Sequence, residues 1–176
     1  MTQVGKKILV LGSGPIRIGQ AAEFDYSGSQ ACRAIKEEGC EVILLNSNPA
    51  TIQTDMTMAD YIYLKPLTVD VVEAILDEHR PWGVIATLGG QTALNLCVDC
   101  QTLGLWDKFG TKVLGTPVDA IQRSEGREDF RRAMLHIGEP VVPSAYVSNT
   151  DEAVDFCSEG CFPYIIRPDF TLGGTG

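Results

Sequence analysis

Short apolar runs that end at a glycine or a polar turn alternate with helical segments from residue 6 to residue 114. The predicted strands are residues 6–11, 41–46, 60–64, 83–88 and 112–114. The predicted helices are residues 21–38, 68–79 and 92–103, with Gly39 as a C-cap and Thr68 as an N-cap. Because strands separated by helices favour parallel βαβ units, this pattern predicts an α/β fold with an open, doubly wound parallel sheet.

The pattern changes after the fifth predicted strand. Residues 116–134 form a polar helical stretch, and a helix at 151–158, capped by Thr150, lies between strand candidates at 144–147 and 164–167. We expect residues 1–123 to form one domain and residues 124–176 the incomplete first part of a second. A chain that stops straight after a glycine-rich loop suggests a fragment of a longer protein.

The composition is typical of a globular protein that stays in solution. Hydrophobic residues make up 44% of the chain and charged residues 21%, and the net charge is −9. Since lysine and arginine form no cluster, a nucleic-acid partner is not expected. No apolar run is long enough for a signal peptide or a membrane span, so we expect a cytoplasmic protein with reduced thiols.

The cysteines allow two interpretations. Cys97 and Cys100 lie three residues apart, and Cys157 and Cys161 four apart, which raises the question of a zinc site. Both pairs fall in predicted helices, without the turn residues of a zinc knuckle. We therefore interpret them as small buried apolar residues.

Two glycine-rich turns follow predicted strands and should lie at the ligand-binding edge of the sheet. The turn at residues 12–19 fails the dinucleotide pattern at Arg17 and lacks the phosphate-binding lysine of a P-loop at Gln20. The turn at Gly89 and Gly90 either holds an anion or simply joins a strand to a helix. The loop at residues 47–52 has ordinary turn chemistry.

A third glycine-rich segment follows Arg167. Backbone N–H groups at Gly173 and Gly174, next to a guanidinium, are what phosphate recognition needs. The same residues are also consistent with a surface arginine beside a flexible terminus. The sequence does not decide between these two interpretations. No nucleophile–histidine constellation is present, so no catalytic residue is predicted in this chain.

Five segments, taken in order, resemble the large subunit of carbamoyl-phosphate synthetases. They are KKILVLGSGPIRIGQAAEFDYSGSQACRAIKEEG, VILLNSNPATIQTD, LGGQTALN, SEGREDFRRAM and IIRPDFTLGG. The resemblance covers essentially the whole chain and is closest to the amino-terminal, bicarbonate-activating half. It implies a Rossmann-like pre-ATP-grasp domain at residues 1–123, followed by the truncated start of an ATP-grasp domain at residues 124–176.

The resemblance also implies an activity for the intact protein. An ATP-dependent ligase with Mg²⁺ (or Mn²⁺) phosphorylates bicarbonate to carboxyphosphate, which reacts with ammonia on the way to carbamoyl phosphate for arginine and pyrimidine synthesis. The partners implied are a glutamine amidotransferase small subunit, which supplies the ammonia, and the remainder of the large subunit. The metal ligands are expected beyond Gly176, so the fragment alone is expected to be inactive.

The resemblance assigns roles to six residues. Arg127 and Arg167 match contacts to the nucleotide phosphates, and Gly173 and Gly174 match the loop that covers them. Ala21 and Glu23 match positions beside an internal tunnel for intermediates.

The chain departs from the family pattern at Gly126, often Asp, and at Asp169, often Ser; neither departure removes an assigned contact. Two alternatives remain. One is another ATP-grasp ligase, such as a biotin-dependent carboxylase subunit, and the other is a non-catalytic α/β binding module.

Overall fold

The computed structural model describes residues 5–15, 23–158, 160 and 162–167. The chain forms two compact units, residues 1–121 (unit 1) and residues 122–176 (unit 2). The boundary between them falls within the helix Val118–Glu125.

Five parallel strands form the sheet of unit 1, which confirms the predicted fold class. They are β1 (Lys7–Leu11), β2 (Glu41–Leu45), β3 (Tyr61–Tyr63), β4 (Gly83–Ile85) and β5 (Lys112–Val113), in the order β3-β2-β1-β4-β5. Leu9 of β1 lies opposite Ile43 on one side and Val84 on the other. The strand order reverses direction between β1 and β4, which is where a doubly wound sheet opens a crevice at its carboxyl edge.

Both faces of the sheet are buried. Successive side chains of β1 and β2 point to opposite faces, and the two sets pack into two different apolar clusters. Leu9, Leu11, Ile43 and Leu45 belong to the larger apolar cluster. Val10, Val42 and Leu44 belong to a second cluster with Cys32. Apolar residues at every position of a strand therefore mark a sheet covered on both sides, as the sequence predicts.

Four helices flank these strands: α1 (Glu23–Glu37), α2 (Val69–His79), α3 (Gly90–Thr102) and α4 (Leu105–Phe109). Helix α1 ends in a Schellman motif at the predicted Gly39, where the Cys40 N–H bonds to the Ile35 carbonyl and the Gly39 N–H to the Lys36 carbonyl. Thr68 precedes α2 as predicted, although its side chain makes no capping hydrogen bond. The sequence did not predict α4.

The cysteine interpretation is confirmed for one pair: Cys97 and Cys100 are buried in the larger apolar cluster. Burial raises the pKa of the Cys97 thiol to about 11 and that of the Cys100 thiol to about 12. Cys157 is half-buried, and Cys161 lies outside the described residues. Within the described ranges, no group of three or more His, Cys, Asp or Glu side chains is arranged to hold a metal ion.

The predicted helix at residues 116–134 is two helices, α5 (Val118–Glu125) and α6 (Arg127–His136). Gly126 separates them with an extended backbone, φ −72° and ψ 115°. Glycine loses more backbone entropy in a helix than other residues do, which makes this break inexpensive.

Unit 2 also contains the predicted helix, α7 (Thr150–Ser158). The prediction of two strands beside this helix is wrong. Residues 144–147 and 164–167 are described, and neither forms a strand. Ile165 and Ile166 are 86% and 90% exposed. An apolar run becomes a strand only where a neighbouring strand accepts its backbone hydrogen bonds, and the described residues provide no such neighbour for these two segments.

The N-cap of α7 is Asn149 rather than Thr150. Asn149 Oδ1 accepts the Glu152 N–H at 3.0 Å, and the Glu152 carboxylate accepts the Ser148 N–H at 2.8 Å. This reciprocal pair resembles a capping box. Along the described stretches, no helix has the length and apolar character needed to cross a bilayer.

Candidate functional site

The carboxyl edge of the unit 1 sheet is built around Asn46, the residue that follows β2. Its side-chain oxygen accepts the Gly14 N–H at 3.1 Å and the Asn48 N–H at 3.3 Å. Its side-chain nitrogen donates to Gln53 Oε1 at 2.6 Å. Asn46 and Gln53 are fully buried. One amide thus joins the turn after β1, the loop after β2 and the short 3-10 turn Ile52–Thr54.

The hydrogen-bond donors determine which way both amides face. Two backbone N–H groups point at one end of the Asn46 amide, so that end must be the oxygen. The Asn46 nitrogen then requires the oxygen of Gln53. This leaves Gln53 Nε2 buried without a hydrogen-bond partner among the described residues. A buried donor in that state costs about 1–3 kcal/mol of stability.

Two glycines leave room for this amide pair. A β-carbon on Gly12 would stand 2.7 Å from Asn46 Cγ and 2.7 Å from Gln53 Oε1. A β-carbon on Gly28, in α1, would stand 1.6 Å from Gln53 Nε2. We call Gly12, Gly28, Asn46 and Gln53 the amide slot.

The 3-10 turn is also tied to the first turn of α1. The Thr51 hydroxyl donates to Asp25 Oδ1 and accepts the Gln53 N–H at 3.0 Å. Glu23 is the first residue of α1 and is exposed. The expected tunnel position Glu23 therefore lies at the carboxyl edge of the sheet, two residues before a helix position anchored to the Asn48–Gln53 region.

The second glycine-rich turn packs tightly against the end of β1. A β-carbon on Gly89 would lie 2.5 Å from the Leu11 carbonyl oxygen and 2.6 Å from that of Gly12. Gly90 has φ +66° and faces the Phe24 ring of α1, 3.2 Å from its β-carbon position. Close packing thus requires both glycines, which supports their role as a strand-to-helix turn. Anion binding at this turn stays a prediction.

The phosphate-contact candidates of unit 2 lie on exposed surface. Arg127 is the first residue of α6, and Arg167 follows the segment 164–166. Both side chains are exposed. Next along α6, Glu128 pairs with Arg132 at 3.0 Å and with Arg131 at 3.8 Å. Exposed guanidinium groups can neutralise the charge of a phosphate.

Three of the six expected site residues lie outside the described residues: Ala21, Gly173 and Gly174. Arg127, Arg167 and Glu23 are described. Sequence reasoning missed Asn46 and Gln53. A polar residue that ends a fully buried apolar strand, as Asn46 ends β2, was the available signal, because a buried amide must find partners.

Two family models match the chain, one after the other. The carbamoyl phosphate synthase preATP-grasp domain matches residues 4–123. The ATP-binding domain of the carbamoyl-phosphate synthase L chain matches residues 126–176.

Curated relatives of the chain are named as large chains of carbamoyl phosphate synthase. The amino-terminal section of the carbamoyl phosphate synthase large chain of Methanopyrus kandleri is 53% identical over the whole chain, which spans 31% of that protein. The large chain of Caldanaerobacter subterraneus is 56% identical over 97% of the chain, which spans 16% of that protein. The chain is therefore much shorter than its relatives.

Solved structures share the fold at low identity. The biotin carboxylase domain of the Hydrogenobacter thermophilus 2-oxoglutarate carboxylase aligns with a TM-score of 0.66 at 19% identity, over 92% of this chain and 34% of that one. The N5-carboxyaminoimidazole synthetase of Staphylococcus aureus aligns with a TM-score of 0.63 at 15% identity, over 96% and 40%. The fold and the two matched domains together show that this chain belongs to the carbamoyl-phosphate synthase large chain family, whose amino-terminal region it resembles throughout its length.

Proposed function

We propose that this chain is part of an ATP-dependent ligase that phosphorylates bicarbonate and combines the product with ammonia, towards carbamoyl phosphate. One observation carries the proposal: a preATP-grasp domain and an ATP-binding domain match in sequence order over residues 4–123 and 126–176. The expected domain boundary between residues 123 and 124 is part of the same proposal.

Within this scheme, unit 2 contacts the nucleotide. Phosphoryl transfer depends on positioning and on neutralising the charge of the phosphates, with little covalent chemistry for the protein to do. Arg127 and Arg167 supply fixed positive charge for that purpose, and Gly173 and Gly174 supply backbone N–H groups. Phosphoryl transfer of this kind requires no nucleophile–histidine constellation in the chain.

ATP with Mg²⁺ (or Mn²⁺) is the proposed cofactor pair. A neighbour in fold was solved with MgADP, ADP and bicarbonate, which supports this choice by analogy of fold. The metal ligands are proposed to lie beyond Gly176, in the remainder of the large chain. Mg²⁺ prefers carboxylate, phosphate and water oxygens.

The proposed partners follow from family membership. A glutamine amidotransferase small subunit supplies ammonia, and the remainder of the large chain completes the ATP site. Ala21 and Glu23 are proposed to lie beside the path of the intermediates. A cytoplasmic location and roles in arginine and pyrimidine synthesis belong to the same proposal.

The test compares two arginines on one helix. In the complete large chain with its small subunit, Arg127→Ala is expected to raise the KM for ATP or lower bicarbonate-dependent ATP hydrolysis by about tenfold or more, the scale of one lost charged contact. Arg132→Ala is the matched control, because Arg132 is exposed on the same helix and pairs with Glu128. Equal effects of the two variants would contradict the assignment of Arg127.

The fragment itself provides a second test. Residues 1–176 alone are expected to hydrolyse no ATP with bicarbonate. Turnover by the isolated chain would show that its own residues complete the site. A complete chain with its partner that makes no carbamoyl phosphate would favour one of the two alternatives, another ATP-grasp ligase or a non-catalytic module.

A further inference from the structure

We propose that Asn46 is a positioning residue of the ligase: it locks the glycine-rich turn after β1 to the loop after β2, so that unit 1 keeps the geometry that product formation requires. This inference rests on the proposed function. It concerns a residue outside the set expected to bind the nucleotide, which is Arg127, Arg167, Gly173 and Gly174.

The geometry of Asn46 gives it this role. Its oxygen accepts one N–H from each loop, Gly14 at 3.1 Å and Asn48 at 3.3 Å. Without the Asn46 oxygen, the two backbone donors lose the acceptor that holds them together.

Both loops lead towards the residues that are expected to lie beside the path of the intermediates. The turn at residues 12–15 directly precedes the segment that contains Ala21 and ends at Glu23. The loop after β2 leads to Thr51, whose hydroxyl bonds to Asp25 in the first turn of α1. A shift of the loop after β2 therefore reaches the first turn of α1 through the hydrogen bond between Thr51 and Asp25.

The buried pair of Asn46 and Gln53 amides carries a cost in folding stability. Gln53 serves Asn46 with its oxygen and leaves its own nitrogen buried without a partner among the described residues. Buried polar groups that are only partly satisfied often mark sites kept for function. The proposed role of Asn46 therefore depends on the positions of the two loop N–H groups and not on the contact with Gln53.

Three variants of the complete large chain separate these roles. Asn46→Ala removes the acceptor of both loop N–H groups. Asn46→Asp keeps that acceptor, and the Gln53 amide can turn over to donate its nitrogen to the second carboxylate oxygen. Gln53→Met keeps Asn46 and its two loop contacts, while it removes both the unpartnered donor and the acceptor of the Asn46 side-chain nitrogen.

The assays read product formation and ATP use separately. Asn46→Ala is expected to lower carbamoyl phosphate formation by about 10–100-fold, the scale of a misplaced reacting geometry, with the KM for ATP changed by less than about twofold. Asn46→Asp should recover at least half of the lost rate on a logarithmic scale. Gln53→Met should lose less activity than Asn46→Ala, because the two loop N–H groups keep their acceptor. Amide exchange at Gly14 and Asn48 should quicken in Asn46→Ala alone.

The outcomes are separable. If the wild-type complex makes no carbamoyl phosphate, the proposed function fails, while faster amide exchange at Gly14 and Asn48 would still support the lock between the loops. If the wild type is active and Asn46→Ala forms product at the wild-type rate, the inference is overturned. It is overturned as well if the Asn46 and Gln53 variants lose activity equally, or if the loss appears only in the KM for ATP.

Discussion

The side-chain nitrogen of Gln53 occupies the space where a β-carbon on Gly28 would stand, 1.6 Å from that position. Gly28 lies in α1, and Gln53 lies in the 3-10 turn after β2. The helix can approach the turn this closely only because Gly28 has no side chain. Through this contact, the amide slot connects α1 to the carboxyl edge of the sheet.

Gly28→Ala is therefore expected to destabilise the chain. Ala is favoured over Gly in a helix by about 1 kcal/mol, but overpacking a buried site costs about 1–3 kcal/mol and more where neighbours cannot move. Urea denaturation should show a lower midpoint for Gly28→Ala. In a Gln53→Ala background the same change should be neutral or stabilising, because the clash is absent. Destabilisation of equal size in both backgrounds would contradict the contact.

Asn46→Ala is expected to be among the more costly single changes at this edge. It leaves two backbone N–H groups and Gln53 Oε1 without their present partner, and each buried unsatisfied group costs about 1–3 kcal/mol. Asn48→Ala is the control, since Asn48 Oδ1 accepts the exposed Ala50 N–H and the Asn48 backbone N–H is kept. Similar midpoints for the two variants in thermal or urea denaturation would be inconsistent with the geometry.

Arg167→Ala tests the other half of the proposed site. In the complete protein we expect bicarbonate-dependent ATP hydrolysis to fall by about tenfold or more, because a charged phosphate contact is lost. Arg123→Ala, which changes an exposed arginine in α5, serves as the comparison. Wild-type turnover of Arg167→Ala at saturating ATP would remove Arg167 from the nucleotide site.

The buried thiols predict a loss of stability at high pH. Burial raises the pKa of Cys32 and Cys97 to about 11 and that of Cys100 to about 12, from an ordinary value near 9. Because the folded state holds these protons more tightly, their contribution is fully present below pH 9 and is lost as the pH rises towards 11–12. Denaturation midpoints should fall over that interval, and less steeply in Cys97→Ala than in the wild type after correction for other titrating groups.

The N-cap of α7 gives a local test of a corrected prediction. Asn149→Ala should destabilise the helix by about 1 kcal/mol, whereas Thr150→Ala should have a smaller effect. Amide exchange along residues 151–158 reports this helix separately from the rest of the chain. Faster exchange in Thr150→Ala than in Asn149→Ala would show that Thr150, and not Asn149, is the N-cap of α7.

Much of the fold could be predicted because local patterns carry it. Apolar runs such as Ile8–Leu11 are buried whichever neighbours pair with them, and Gly39 ends α1 for a conformational reason that lies within a few residues. The predictions at 144–147 and 164–167 failed for the opposite reason. A strand needs a partner, and the sequence of the segment does not show whether one is present.

By itself, the sequence determined the alternation of strands and helices, the doubly wound sheet and the family resemblance, because these depend on residue order and short-range periodicity. Only the tertiary structure decided that Gly14, Gly28, Asn46 and Gln53 come together. Their hydrogen bonds and close contacts join segments far apart in the chain, so they exist only after β1, β2 and α1 have packed.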